Sequence, residues 1–521
     1  MSPRERLEYK VAGLVVVRIG TNMSPPRRVE EDAEMVADLV DRYPLGGLLL
    51  FNGMWPETRN TLIDLQRRAG DAGHPGLLVM TDMERGVGQQ VRGASTFPHL
   101  GAYGAWAQKD AAAAEDAARR TAAMAAHEAL ACGIHVACAP VADLDRNPDN
   151  PIIATRAFGA DPKLVAGLVR AYVEGLRESG LLVTVKHFPG HGGTSEDSHA
   201  VLPTVDDSRE MLLSNDLEPF REAFDAGAEL IMTAHVVYTA LDSSGEPATR
   251  SRAILTDLLR GEMGFKGAVL TDSLQMGGIK SDVSEAESAA VQIEAGVDLL
   301  LDPEDAESLI KGLADAVEQG RLSETRVDEA LARADALRKS LTQRFGDEVF
   351  VLPPYPSGDV AGTEAAEWSS RVASSAIRTY GELDSLPEKS VAVLIVPYRT
   401  HLDPPEQPLG EAFRKAFPTG TYFECTGDTS TDDRERILEA VKAAPAVLVA
   451  AIVKPSAWHH FGLSDDLKVF AEALIAASPY SVGAVLGAER GVEDLKAASV
   501  RLCAFSDMPS SQIALAEYIS H

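Results

Sequence analysis

The stretch Leu182-Val183-Thr184-Val185-Lys186-His187 runs without a break into Phe188-Pro189-Gly190-His191-Gly192-Gly193-Thr194-Ser195-Glu196-Asp197-Ser198-His199. Its first part is short, apolar and rich in β-branched residues, the pattern of a strand buried on both faces of a parallel sheet. Its second part carries Pro and Gly, which exclude a helix and mark a loop. Seven other runs read as the same kind of strand: Gly13–Arg18, Gly47–Phe51, Leu77–Asp82, His135–Pro140, Leu230–His235, Ala268–Asp272 and Val297–Leu301. Helical patterns lie between them. Ala111–Ala131 is almost entirely Ala, Glu, Arg and Met, all strong helix formers. Asp161–Ser179 and Glu304–Lys339 repeat apolar residues at three- and four-residue spacing. Eight strand–helix units over roughly 330 residues predict an N-terminal (β/α)8 TIM-type barrel with insertions. A doubly wound sheet is the alternative, because strand order is not written in one sequence.

The chain has 521 residues, so it holds more than this barrel. Around Val351–Gly358 the composition turns to Pro, Ser and Gly, a linker signal. A helical pattern follows at Thr363–Thr379. Strand-like runs then appear at Val391–Val396, Tyr422–Cys425, Ala446–Ile452, Ser481–Leu486 and Val500–Phe505. The expected organisation is a catalytic barrel over residues 1–340, a linker with a helix over 341–390, and a smaller, layered α/β domain over 391–521. The second domain lacks a Gly-rich dinucleotide fingerprint, so no nucleotide is assigned to it. Its conspicuous Trp458-His459-His460 cluster is read as a surface or packing feature.

Composition narrows the partners. Hydrophobic residues make up 45% and charged residues 24%, the balance of a folded globular chain. Lys and Arg number 49 against 78 Asp and Glu, a net charge of −29. Such a surface repels nucleic-acid backbones and anionic lipid, so neither is expected as a partner. No stretch reaches the ~20 apolar residues of a membrane span, and the apolar run Val11–Val17 is too short for a signal-peptide core. The four cysteines, Cys132, Cys138, Cys425 and Cys503, are scattered among apolar residues. They read as reduced core residues of a cytoplasmic protein. The expected assembly is a monomer or homodimer.

Polar residues gather where several strands end: Asp82, Lys186, His187, His235 and Asp272. In a barrel that rim is where active sites are built. The loop after His187 adds His191, Asp197 and His199. Asp197 and His199, two apart in a loop, can meet, and a carboxylate on one ring nitrogen fixes the tautomer and raises the basicity of an acid/base histidine. Asp272, at the end of an apolar strand, can serve as a nucleophile or as a metal ligand. Two reaction classes follow from the residues. One is retaining glycoside hydrolysis with Asp272 as nucleophile and His199 as acid/base. The other is a metal-dependent barrel hydrolase. Barrels of that second kind usually open with a His-x-His pair on the first strand, and Gly13–Gly20 holds no histidine. The expectation is therefore no metal and no cofactor.

These residues resemble a known family. Lys186–His199 is similar to the signature Lys-His-Phe-Pro-Gly-His-Gly-Asp-Thr-x-x-Asp-Ser-His of glycoside hydrolase family 3 β-N-acetylglucosaminidases, departing at one fixed position, Gly193 for Asp. Gly46–Phe51, Ala139–Asp143, Arg156–Gly159, Phe265–Asp272 and Ala295–Asp298 resemble family segments in the same order, so the likeness covers residues 10–340. It implies that Asp272 attacks the anomeric carbon and that His199, oriented by Asp197, protonates the leaving oxygen and then activates water. It implies that Asp82, Arg156, Lys186 and His187 hold sugar hydroxyls, and that the substrate is a β-linked N-acetylglucosaminide, with peptidoglycan turnover as a source to test. The family's third-strand motif ends in Arg where this chain has Gln90, with Arg85 and Arg92 as neighbours that could replace it. Its nucleophile segment usually carries a second Asp where this chain has Ser273. Alternatives within the family are a β-glucosidase, which generally takes its acid from a second-domain Glu and lacks the Asp-x-His pair, and a phosphorylase.

Overall fold

The computed structural model describes residues 1–521 except 281, 282, 357, 359, 401, 402, 456–460 and 521. The Trp458-His459-His460 cluster lies outside the described residues. The chain divides into two units. One comprises Met1–Thr96, Ala118–Asn147 and Ala160–Gly362; the other comprises Phe97–Ala117, Pro148–Gly159 and Thr363–His521.

In the first unit eight strands pair in parallel in chain order: Val15–Ile19, Gly47–Leu50, Leu78–Asp82, Val136–Cys138, Leu182–Phe188, Leu230–Thr233, Ala268–Leu270 and Leu300–Leu301. The first pairs with the eighth at Val15–Leu300 and Val16–Leu301. The seventh reaches the eighth through a bridge between Leu270 and Leu299 and through Thr271 N–H to the Leu299 carbonyl. The sheet is thus a ring with strands in chain order. That excludes the doubly wound alternative, whose strand order must reverse.

The cylinder is filled from its own wall. Val16, Leu49, Leu78, Met80, Val136, Cys138, Leu182, Leu230, Met232, Ala268, Leu270 and Leu301 form one buried cluster. It continues into Ala334, Leu337 and Leu341 of the helix Glu324–Phe345. That helix closes the end where strands begin. Arg338 donates to the carbonyls of Gly46 (3.0 Å) and Gly76 (2.8 Å), and Arg344 donates to that of Gly180 (2.9 Å), each just before a strand. With one end sealed, chemistry is confined to the end where strands finish.

Two elements differ from the sequence reading. The helical pattern Glu304–Lys339 is two helices, Ala306–Glu318 and Glu324–Phe345. Gly320, at φ +69, breaks it, a conformation that only glycine adopts without strain. In the second unit the helix Thr363–Ala376 stops short of Thr379, and Arg378–Tyr380 forms an antiparallel edge strand against Val500–Cys503. The other five strands there are parallel, completing the sheet order 378–380, 500–503, 481–487, 447–453, 391–395, 421–425. Side chains of Val391–Ile395 alternate between two buried clusters. Val391, Val393 and Ile395 belong to one, Ala392 and Leu394 to the other. A sheet with a core on each face is a layered α/β unit.

Candidate active site

The ends of the third to eighth strands and one loop build the site. The fifth strand, Leu182–Phe188, is buried along its whole length. Its register against the sixth strand shifts between Val185 and Phe188. An irregularity of this kind re-aims side chains that would otherwise alternate between faces. Lys186 and His187, adjacent in sequence, both turn to polar partners here. Lys186 Nζ lies 2.6 Å from Asp82 Oδ1 and 2.8 Å from Glu84 Oε1, both on the third strand and its exit. His187 Nδ1–H donates to Asp143 Oδ2 at 2.7 Å.

Asp143 is fully buried, and its carboxylate also accepts the backbone N–H of His191 at 2.6 Å. Burial opposes its charge, but His187, His191 and these hydrogen bonds outweigh it and hold its carboxyl below the ordinary range. His191 Nε2 is bonded to Ser198 Oγ at 2.8 Å. This crosses the loop and brings its far end back. There, His199 Nδ1–H donates to Asp197 Oδ1 at 2.6 Å, and the same oxygen accepts the His199 backbone N–H at 2.9 Å. Asp197 and His199 are therefore hydrogen-bonded to one another. The loop is pinned to the exit of the seventh strand as well: Gly277 N–H donates to the His199 carbonyl (2.9 Å) and Gly278 N–H to that of Ser198 (3.0 Å).

Asp272 stands at the end of the seventh strand, half-buried. Burial would lift its pKa, yet His187, His235 and His199, with the Ser273 N–H at 2.8 Å, hold it below the ordinary value. Those three histidines define where the charge of Asp272 is felt. His235 is buried, and burial pushes its pKa down, favouring the neutral ring. Its Nε2–H donates to the Ser273 carbonyl at 3.1 Å, so Nδ1 accepts from Thr249 Oγ1 at 2.8 Å. Ser273 also donates through Oγ to Asp302 Oδ2 at 2.6 Å, and Asp302 is ion-paired to Arg18 on the first strand.

Of the seven residues to which the sequence reading gives catalytic or sugar-binding roles, six, Asp82, Lys186, His187, Asp197, His199 and Asp272, belong to the first unit. Arg156 belongs to the second unit, in the turn Ala154–Arg156, where its Nη1 donates to the Ile152 carbonyl at 3.2 Å. Gln90 is buried and accepts from Asn22 Nδ2 at 3.1 Å. Arg92 is exposed and donates to Asn52 Oδ1 at 3.3 Å. Sequence reasoning missed Asp143, Glu84 and Ser273 as site residues. Asp143 alone gave a signal, a carboxylate ending the apolar run Val136–Ala142. Among the described residues, no group of three or more His, Cys, Asp or Glu side chains could hold a metal ion.

The family profile described as the glycosyl hydrolase family 3 N terminal domain matches residues 6–337. The chain belongs to glycoside hydrolase family 3 and is a glycosidase. A beta-hexosaminidase A from Pseudoalteromonas piscicida is 30% identical over 491 residues, which cover 88% of this chain and 80% of that one. A beta-hexosaminidase from Xanthomonas axonopodis pv. citri is 35% identical over 289 residues, 55% of this chain and 82% of its own. Among solved structures, a glycoside hydrolase family 3 beta-N-acetylglucosaminidase from Paenibacillus sp. str. FPU-7 superposes with a TM-score of 0.85 at 30% identity. That match covers 100% of this chain and 97% of that one.

Proposed function

We propose that the protein is a retaining exo-β-N-acetylglucosaminidase. The hydrogen bond from His199 Nδ1 to Asp197 carries this reading, because it turns a loop imidazole into an acid/base group of fixed tautomer beside a charged strand-end carboxylate. Relatives whose names include beta-hexosaminidase support the substrate class. In the first step Asp272 attacks the anomeric carbon while His199 gives its Nε2 proton to the glycosidic oxygen. The C1–O bond breaks, the alcohol leaves, and a glycosyl-Asp272 ester remains. In the second step His199 takes a proton from water, the water oxygen attacks C1, and the carboxylate of Asp272 departs. Two displacements at one carbon return the β configuration. Asp82, Lys186 and His187 are assigned to the sugar hydroxyls.

Peptidoglycan fragments are the proposed source of the terminal sugar. Four buried, free cysteines and the absence, among the described residues, of any helix long and apolar enough to cross a membrane agree with the cytoplasm as its location.

Asp272→Ala tests the assignment. Turnover of an aryl β-N-acetylglucosaminide is expected to vanish while the circular dichroism and melting temperature hold, and near wild-type activity would sink it. Running the wild-type assay in phosphate separates the hydrolase from a phosphorylase, which would release sugar 1-phosphate instead of free sugar.

A further inference from the structure

Four residues beyond the fourth strand, Asp143, Leu144, Arg146 and Asn147, lie against the loop that carries the acid/base pair. Asp143 receives the His187 ring and the His191 N–H. The Leu144 carbonyl packs so tightly on Gly192 that a Cβ there would collide with it. Asn147 Nδ2 donates to the carbonyls of Thr194 (2.9 Å) and Gly193 (3.3 Å). Arg146 sits within this cradle. Its guanidinium bridges Asp216, Nε to Oδ1 at 3.1 Å, and Asp207. It also fills the space beside Gly193, where an added Cβ would run into its Nη2. Asp216 is buried in turn and lies under Gly190, where a Cβ would stand 3.0 Å from the Asp216 Cβ.

Arg146 therefore touches the loop at its start, through Asp216, and at its middle, at Gly193. It also holds Asp207, eight residues beyond His199. The residue that the family signature places at 193 is an aspartate. In this chain position 193 offers no side chain, and the carboxylates beside it come from 207 and 216 and the cation from 146. A guanidinium offers two carboxylates a fixed, planar fork, so it sets direction as well as distance.

We propose that Arg146 is a positioning residue for the acid/base step: it fixes the course of Gly190–Thr194 so that Asp197 and His199 arrive at the leaving-group oxygen. This rests on the reading of His199 as acid/base.

The test is a leaving-group series of aryl and alkyl β-N-acetylglucosaminides on Arg146→Gln and Arg146→Lys, with His199→Ala as reference. Poor leaving groups need the proton and dinitrophenolate does not. A displaced acid should cost Arg146→Gln about tenfold or more in kcat/KM, which reports the first step, on alkyl glycosides and less than about threefold in kcat/KM on the dinitrophenyl substrate. Lysine keeps the charge without the fork, so Arg146→Lys should fall between. An equal loss across the series in a folded variant, or no loss, overturns the proposal. A steep series in His199→Ala with a flat one in Arg146→Gln removes this role alone. A flat series in His199→Ala removes the acid/base reading, and the proposal with it. Should Arg146→Gln fail to fold, Arg146→Lys and Asp207→Asn are read against the same series.

Discussion

Asp272 is held below its ordinary pKa although burial alone would raise it. The site does this with three imidazoles and one backbone N–H rather than a lysine or arginine. Since its carboxyl is held below the ordinary 3.8, the folded protein binds a proton there only at lower pH than the unfolded chain does. Its ionised form is thus complete throughout neutral and mildly acidic conditions, and stability from this group is lost only as pH falls through the depressed value. The pH profile of kcat/KM on an activated substrate should therefore show no acid limb from this group at or above pH ~4. A limb near pH 5 that disappears in a chemically rescued Asp272 variant would contradict this. The residue-scale features legible in the sequence were those with local partners. Asp197 and His199 are two apart, so their meeting needed only a turn. Asp143 and His187 are 44 apart, and Ser273 and Asp302 are 29 apart. Only closure of the barrel brings them together, and no spacing rule reaches that far.

At the scale of elements the eight buried strands stood out because each is a short apolar run bounded by polar or Gly-containing turns. The edge strand Arg378–Tyr380 did not. Three half-buried residues beside a helix give no periodicity to read. The register shift in the fifth strand was also unreadable, since it depends on the pairing with Leu230–Thr233. The eighth strand is only Leu300–Leu301, shorter than the apolar run suggested, and much of its anchorage comes from the side chain before it. Asp298 is fully buried and accepts from Arg326 (2.6 Å), Arg260 (2.7 Å), Arg333 (2.9 Å) and the Val269 N–H (2.9 Å). Removing one member of a buried charge cluster strands the others. Asp298→Ala should therefore cost about 3–5 kcal/mol of stability. It lies at the start of its strand, away from the rim where strands finish, so the fraction that folds should keep a near wild-type KM. Urea unfolding beside steady-state kinetics checks both halves. A loss below about 1 kcal/mol would show that the three arginines find other acceptors or water.

For the whole molecule, the charge of −29 is a sum of long-range repulsions laid over many short ion pairs. Salt acts on the two differently. Pairs such as Arg68–Asp41 at 2.6 Å and Lys311–Glu307 at 2.7 Å are exposed, so they add little to stability and have little to lose as salt screens them. Repulsion among the excess carboxylates acts over tens of ångströms, and a Debye length that shrinks from ~30 Å at 0.01 M to ~3 Å at 1 M removes most of it. The repulsive term should dominate the response. Melting temperature is expected to rise with sodium chloride over this range; chloride is preferred because sulfate also strengthens apolar burial by exclusion. A falling melting temperature would mean that the ion pairs outweigh the net charge. For a substrate whose sugar and aglycone are both neutral, such as an aryl β-N-acetylglucosaminide, no field steers the approach, and kcat/KM should stay nearly flat across the same titration. A steep salt dependence of kcat/KM would instead point to a charged aglycone, with the acidic surface repelling an anionic one at low salt or drawing in a cationic one.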